Sequence, residues 1–164
     1  MKVARSVAEI LSQHTTLTLE CIDRLYLNVY VPVLQRAAEV HAMHDPTEGG
    51  VATGLRELAG ASNVGLRLHA ERLPLLPEGR LLCDAFGLDP LGVIASGALL
   101  ATVPAEQAAK AMAACHAAGI ASYDIGTVVA PEEGLLLCSR DAERRLPGFA
   151  RDEIVKLIEA EASG

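Results

Sequence analysis

The stretch Met43-His44-Asp45-Pro46-Thr47-Glu48-Gly49-Gly50-Val51-Ala52-Thr53-Gly54-Leu55 sets the frame for the rest of the chain. A polar turn with a proline runs into two adjacent glycines. An amphipathic helix pattern begins at once, with Val51, Leu55, Leu58 and Ala59 on one face. Asp45 and Thr47 are residue types that cap helix starts. Gly49 and Gly50 leave the first backbone N–H groups bare, so an anion can come close. A helix N-terminus offers unpaired donors and about half a positive charge, which suits phosphate. An ordinary capped helix with glycines in a tight turn fits the same residues and is the commoner arrangement.

Upstream, the apolar residues Leu17, Leu19, Cys21, Leu25, Leu27, Val29 and Val31 fall on odd positions, a period of two. This predicts one or two strands, the second over Leu25 to Val31 and ended by Pro32, followed by a short helix over Val33 to Val40. Residues 1–16 fit a short helix around Val7, Ile10 and Leu11. His41 and His44, with Asp45 next to them, resemble a fragment of a metal site, but no matching His/Cys pair stands elsewhere in the chain.

Downstream, the helix from Gly49 ends near Asn63, and Val64, Leu66 and Leu68 alternate with Gly65, Arg67 and His69 as a half-buried strand. Glu78 to Phe86 reads as a helix burying Leu81, Leu82 and Ala85, with Gly87 as its C-cap. Asp89 caps a short helical turn begun by Pro90, and Ser96-Gly97 is a turn. Ala98 to Val103 is continuously apolar, which predicts a strand covered on both faces. A helix over 105–118 buries Ala109, Met112, Ala113 and His116 on this reading. Strands over 122–129 and 134–139 follow, joined as a hairpin through Ala130–Gly134, which makes a β-α-β-β unit, half of a ferredoxin-like arrangement. Asp141 to Phe149 reads as a loop, and Asp152 caps a last helix whose core face is Ile154, Leu157 and Ile158.

The length of 164 residues fits one domain with a real core. Half the residues are hydrophobic and none is Trp, so Leu, Val, Ile and Ala must build that core. The net charge of −7 argues against nucleic acid as a partner. It leaves room for a phosphorylated ligand, because backbone amides bind anions in acidic proteins too. Cys21, Cys83, Cys115 and Cys138 are widely spaced. With no signal-peptide pattern, reduced thiols in a cytoplasmic protein are expected. No apolar run reaches the roughly 18 residues of a membrane span.

Several separated motifs together resemble one family. His44-Asp45-Pro46-Thr47-Glu48-Gly49-Gly50-Val51-Ala52 is similar to the D-x-T-x-G-G motif opening the C-terminal domain of AIR synthase-related proteins. Gly87-Leu88-Asp89-Pro90-Leu91 with Ile94-Ala95-Ser96-Gly97-Ala98-Leu99-Leu100 resembles the second signature, and Gly119-Ile120 with Ile125-Gly126 the third. Tyr30-Val31 with Val33-Leu34 resembles the entry segment. The Pro46 variant followed by Gly50-Val51-Ala52 is most similar to the hydrogenase-maturation, HypE-like branch.

The resemblance implies an α+β, three-layer domain with a mixed sheet, helices and partial ferredoxin-like topology. It implies residues 1–24 as an N-terminal extension and 25–164 as the domain, the family's N-terminal ATP-binding domain being missing from this chain. It implies ATP and Mg2+ as cofactors, bound largely by that other domain, supplied in cis or in trans. Asp45, Thr47, Gly49, Gly50, Ser96 and Gly97 become the expected contacts of a phosphorylated small molecule or nucleotide in an interdomain cleft, with Asp45 also an Mg2+ contact. A homodimer is expected where that cleft is exposed. No catalytic residue is named by the sequence, and Glu48 stands where the HypE-like branch often has Arg. The other reading is a free-standing, non-catalytic binding or dimerisation module.

Overall fold

A computed structural model describes residues 27–162 of the chain, so the helix expected over 1–16, the strand over 17–21 and the 1–24 extension lie outside the described residues. The chain begins with α1 (Leu27–Ala37) and continues to the short strand β1 (Ala42–His44). The strand expected over Leu25 to Val31 is instead helical from Leu27, and Pro32 lies within α1 rather than ending a strand. The alternation of Leu25, Leu27, Val29 and Val31 points to a strand, but burial follows the helical spacing. Leu34 and Ala37, three apart, are buried on α1. An interior proline costs about 3 kcal/mol, a cost set here against the packing of Leu34 on Ala111 and Cys115.

The central helix α2 (Gly50–Ser62) forms where expected and ends at Asn63, whose φ of 51° closes it in the left-handed conformation. Its buried Ala52, Leu55, Leu58 and Ala59 meet Leu66 and Leu68 of β2 (Gly65–His69) in the main core. The same helix also packs on a two-stranded ribbon, β1 paired antiparallel with β3 (Leu100–Thr102), Met43 opposite Ala101, with Leu100 part of the same core. A Cβ at Gly54 would stand 2.7 Å from Pro46 Cβ and 3.2 Å from Leu100 Cδ1, so only glycine permits that approach. An isolated two-stranded ribbon is marginal in water; here α2 supports it. β3 is not covered on both faces as expected: Leu100 is buried, but Ala101 is exposed.

The main sheet has the order β4-β2-β5-β6, with β4 (Gly126–Val129), β5 (Leu135–Cys138) and β6 (Glu143–Arg145). β2 pairs antiparallel with β4 and parallel with β5. The expected hairpin between β4 and β5 is therefore not formed, because β2 lies between them and Ala130–Gly134 crosses over it. The hairpin that does form joins β5 to β6, inside the segment read as a loop. A central parallel pair flanked by antiparallel strands keeps the sheet mixed and the fold α+β, as expected from the family likeness.

Three faces were misphased. In α3 (Pro77–Phe86) the buried residue is Cys83, while Ala85 is exposed. In α4 (Ala105–Ala117) the buried residues are Ala111 and Cys115, and Ala109, Ala113 and His116 are exposed. An alanine-rich helix has too little contrast to show its inner face. In α5 (Val155–Ala162) the expected core face is open: Ile158 is 64% exposed, and Ile154, just before the helix, is 40%. The second core joins α1 to α4 through Leu34, Ala111 and Cys115, with Leu99 and Val103 from the ends of β3 packed against it.

Candidate functional site

The first signature turn and the Ser96-Gly97 turn are in direct contact. The Thr47 carbonyl accepts a hydrogen bond from Gly50 N–H at 3.1 Å and another from Ala95 N–H at 3.3 Å. The Ser96-Gly97 turn is closed by Ala98 N–H donating to the Ala95 carbonyl at 3.1 Å, with Gly97 at φ +92°. The six residues singled out in the sequence thus fall in one neighbourhood. Asp45, Thr47, Glu48 and Ser96 are exposed, whereas Pro46, Gly49 and Gly50 are buried.

The helix start is not capped by Asp45 or Thr47. The N-cap is Gly49, at φ +74°, and no residue of the turn makes a side-chain cap hydrogen bond. The group that satisfies Gly49 N–H is the carboxylate of Asp152, whose Oδ2 accepts it at 2.8 Å in a buried contact. A carboxylate at a helix N-terminus gains from both the unpaired donor and the helix dipole. The same Asp152 accepts Ile154 N–H through Oδ1 at 2.9 Å, the local capping role expected from sequence. Nothing in the sequence marks its second partner, which lies 103 residues away.

The glycine pair is required by shape. Gly50 has φ +67°, and a Cβ there would stand 2.5 Å from the carbonyl oxygens of both Leu91 and Val93. Those carbonyls belong to the middle residue of the short 3-10 turn Pro90–Gly92 and to the residue after it, and Asp89 caps the turn through Oδ1 on Leu91 N–H at 2.9 Å, as expected. Glu153 completes the junction: its Oε2 accepts Asp89 N–H at 3.1 Å and meets Lys156 Nζ, while its own N–H donates to the Gly92 carbonyl at 3.0 Å. The Lys156 ammonium and the Asp89 amide hold the Glu153 carboxyl below the ordinary glutamate range. On the far side of α2, Arg56 donates to the carbonyls of Leu146 and Pro147, tying the chain leaving β6 to the helix.

The histidines take other partners. His44 Nε2 lies 2.8 Å from Glu57 Oε2 on α2, and His41 Nε2 lies 3.9 Å from Glu39 Oε1. Among the described residues no three His, Cys, Asp or Glu side chains are grouped to hold a metal. Asp45 offers one exposed carboxylate. One carboxylate together with nucleotide phosphates and water is a sufficient set for Mg2+, which seldom takes an all-protein cage.

Comparison with known proteins decides the family. The AIR synthase related protein, C-terminal domain family matches residues 22–137. The chain belongs to this family. Its members that resemble it include the carbamoyl dehydratase HypE of Rhizobium leguminosarum bv. viciae, 43% identical over 97 residues, covering 58% of this chain and 28% of that protein. HypE of Azotobacter vinelandii is 40% identical over 102 residues, covering 61% of this chain and 30% of its own. The chain therefore spans under a third of the length of these relatives. Among solved structures, E. coli HypE superimposes with a TM-score of 0.71 at 28% identity, covering 80% of this chain and 42% of that one. A HypE solved in complex with ATP gives 0.65 at 28% identity, covering 74% and 39%. AaThiL complexed with AMPPCP and TMP gives 0.52 at 27% identity, covering 74% and 36%. The family's C-terminal domain is thus present here in its HypE-like form, and no helix among the described residues is long and apolar enough to cross a membrane.

Proposed function

We propose that this chain is the C-terminal half of an ATP-binding cleft in a HypE-like enzyme and contributes the exposed edge of its two signature turns. The observation that carries this reading is the hydrogen bond from Ala95 N–H to the Thr47 carbonyl, which joins the two turns, in which Asp45, Thr47 and Ser96 are exposed. Support comes from the ATP and AMPPCP bound by the HypE and AaThiL relatives. On this reading Thr47 and Ser96 hydroxyls donate to phosphate oxygens, and Asp45 meets an Mg2+ ion that arrives with the nucleotide. Gly49 and Gly50 contribute by letting the turns close, with Gly49 N–H already held by Asp152. An N-terminal domain, in cis or in trans, supplies the other wall of the cleft and the remaining Mg2+ ligands, in a cytoplasmic protein.

The chain alone is expected to bind Mg2+–ATP weakly and to turn none over, because phosphoryl chemistry depends on groups placed on both sides of the phosphate. Calorimetric titration of Mg2+–ATP tests this. The Asp45→Ala/Thr47→Ala double variant, both sites exposed, is expected to bind at least about tenfold more weakly, a difference of about 1.4 kcal/mol. Equal affinity would remove the site, and hydrolysis by the isolated chain at about 10 per second would remove the two-domain reading. Exposed Ile154 and Ile158 favour a second reading, a homodimer through the α5 region. Sedimentation at several concentrations, with Ile158→Glu as the comparison, measures that directly.

A further inference from the structure

Asp152 and Glu153 are the buried charged residues among those described, each 7% exposed. Neither belongs to a signature turn, yet each carboxylate reaches one. Asp152 holds Gly49 N–H of the first turn, and Glu153 holds Asp89 N–H at the 3-10 turn that precedes Ser96-Gly97 in the second signature. The backbone between them joins in through Glu153 N–H on the Gly92 carbonyl. The fit is close: a Cβ at Gly92 would stand 2.6 Å from Phe149 Cδ1 and 2.7 Å from Glu153 Cγ. Phe149 itself packs on the leucine core under α2. One short segment therefore touches the core, the N-terminus of α2 and the 3-10 turn.

The geometry points to the segment Phe149–Lys156 as a strap that fixes the first signature turn against the 3-10 turn at Asp89–Val93, the first turn in its own right holding the Ser96-Gly97 turn through the Thr47 carbonyl. Asp152 is its positioning residue and supplies, from within the chain, the negative charge that the start of α2 attracts. Two consequences follow. Lifting the strap loosens both turns before the rest of the domain. It also weakens Mg2+–ATP, a consequence resting on the proposed function above, because Thr47 and Ser96 keep their alignment only while Gly50 stays seated under Leu91 and Val93. The nucleotide then meets the exposed edge of the turns, while Gly49 N–H stays with Asp152.

Hydrogen exchange read by mass spectrometry on the whole chain, without nucleotide, tests the strap. Asp152→Ala is expected to raise exchange at least tenfold in residues 49–53 and 89–93 and to leave residues 66–69 and 108–115 unchanged. Asp152→Asn, which keeps one acceptor oxygen, is expected to fall between wild type and Ala. Unchanged exchange in both turns, or an equal rise everywhere, overturns the proposal. If Asp152→Ala does not fold, Glu153→Ala, which leaves Asp89 N–H without its acceptor, decides: a rise confined to 89–93 supports the strap, and no rise contradicts it. A parallel Mg2+–ATP titration is expected to show tenfold weaker binding for Asp152→Asn than for wild type, and equal affinities contradict the coupling. Absence of binding by wild type itself would count against the proposed function, and exchange alone would then decide the strap.

Discussion

The core beneath the four-stranded sheet is closed by leucines, with Leu55, Leu58, Leu66, Leu68, Leu137 and Leu146 each no more than 5% exposed. The contact between α1 and α4 is closed by one leucine, one alanine and a thiol, Leu34, Ala111 and Cys115. In the first, large side chains from α2 and three strands interlock, and the signature turns sit at the end of the helix that this core anchors. In the second, three buried residues join two helices, and the aliphatic side chains around them, Leu99 and Val103 included, are only partly buried. The difference teaches where rigidity is concentrated. The helix carrying the candidate site is fixed from below by leucines and at its start by the strap, while α1 and α4 form a lighter flank.

The largest expected effect breaks the leucine side. Leu146→Ala, at 1% exposure, should destabilise the domain by about 3–5 kcal/mol. Urea unfolding measures it, and a loss under about 1 kcal/mol would show that this core is loosely packed. The small-residue side should fail in the opposite direction. Ala111→Leu adds volume where α1 and α4 touch and should cost about 1–3 kcal/mol, with a neutral result revealing a void there.

A third test asks whether the leucine side also depends on the strap's charge. The Glu153 carboxyl is held below the ordinary value of 4.5 by Lys156 and Asp89 N–H. A depressed folded value means that the stabilisation is fully present above that ordinary, unfolded value and is lost as pH falls through the folded one. Stability should drop more steeply below that pH in wild type than in Glu153→Gln, whose loss at neutral pH should be about 1–2 kcal/mol. Identical acid profiles would remove the charge from the account.

Thiol labelling gives a finer comparison. Burial pushes the Cys83 and Cys115 thiols up from their ordinary value, so they stay protonated and shielded. Peptide mapping should find both slower to alkylate than half-buried Cys138, and fast labelling of Cys115 would show that α1 and α4 separate. The smallest effect is expected at the sheet edge, where exposed Arg144→Ala should change stability by less than about 0.5 kcal/mol.

The leucine side was largely legible in the sequence. Leu55 and Leu58 showed helical spacing, Leu66 and Leu68 alternated, and Asp89-Pro90 announced its capped turn, because these signals are local. What failed was decided at a distance. β2 enters between β4 and β5, so the short Ala130–Gly134 connection looked like a hairpin and is a crossover. Leu146, among charged neighbours, carried no periodicity although it is among the most buried side chains. The alanines of α4 had no contrast from which to read a face. At the site, the family likeness put Ser96 and Gly97 near the cleft of the glycine pair, and the fold brings the two turns into contact through Thr47 and Ala95, a bond that the sequence did not mark. The partner of Gly49 was not marked either, since Asp152 looks like any helix cap until the chain has folded back on itself.

The central claim is that ATP meets the joined edge of the two turns. Nitrogen-15 correlation spectra of the whole chain, titrated with Mg2+–ATP, test it at single amides even for weak binding. The account predicts shifts concentrated at Thr47 to Val51 and Ile94 to Ala98, with the amides of β6 and of the α1–α4 contact unmoved. Saturating nucleotide that leaves those two turns unshifted, or shifts centred elsewhere on the domain, would contradict it.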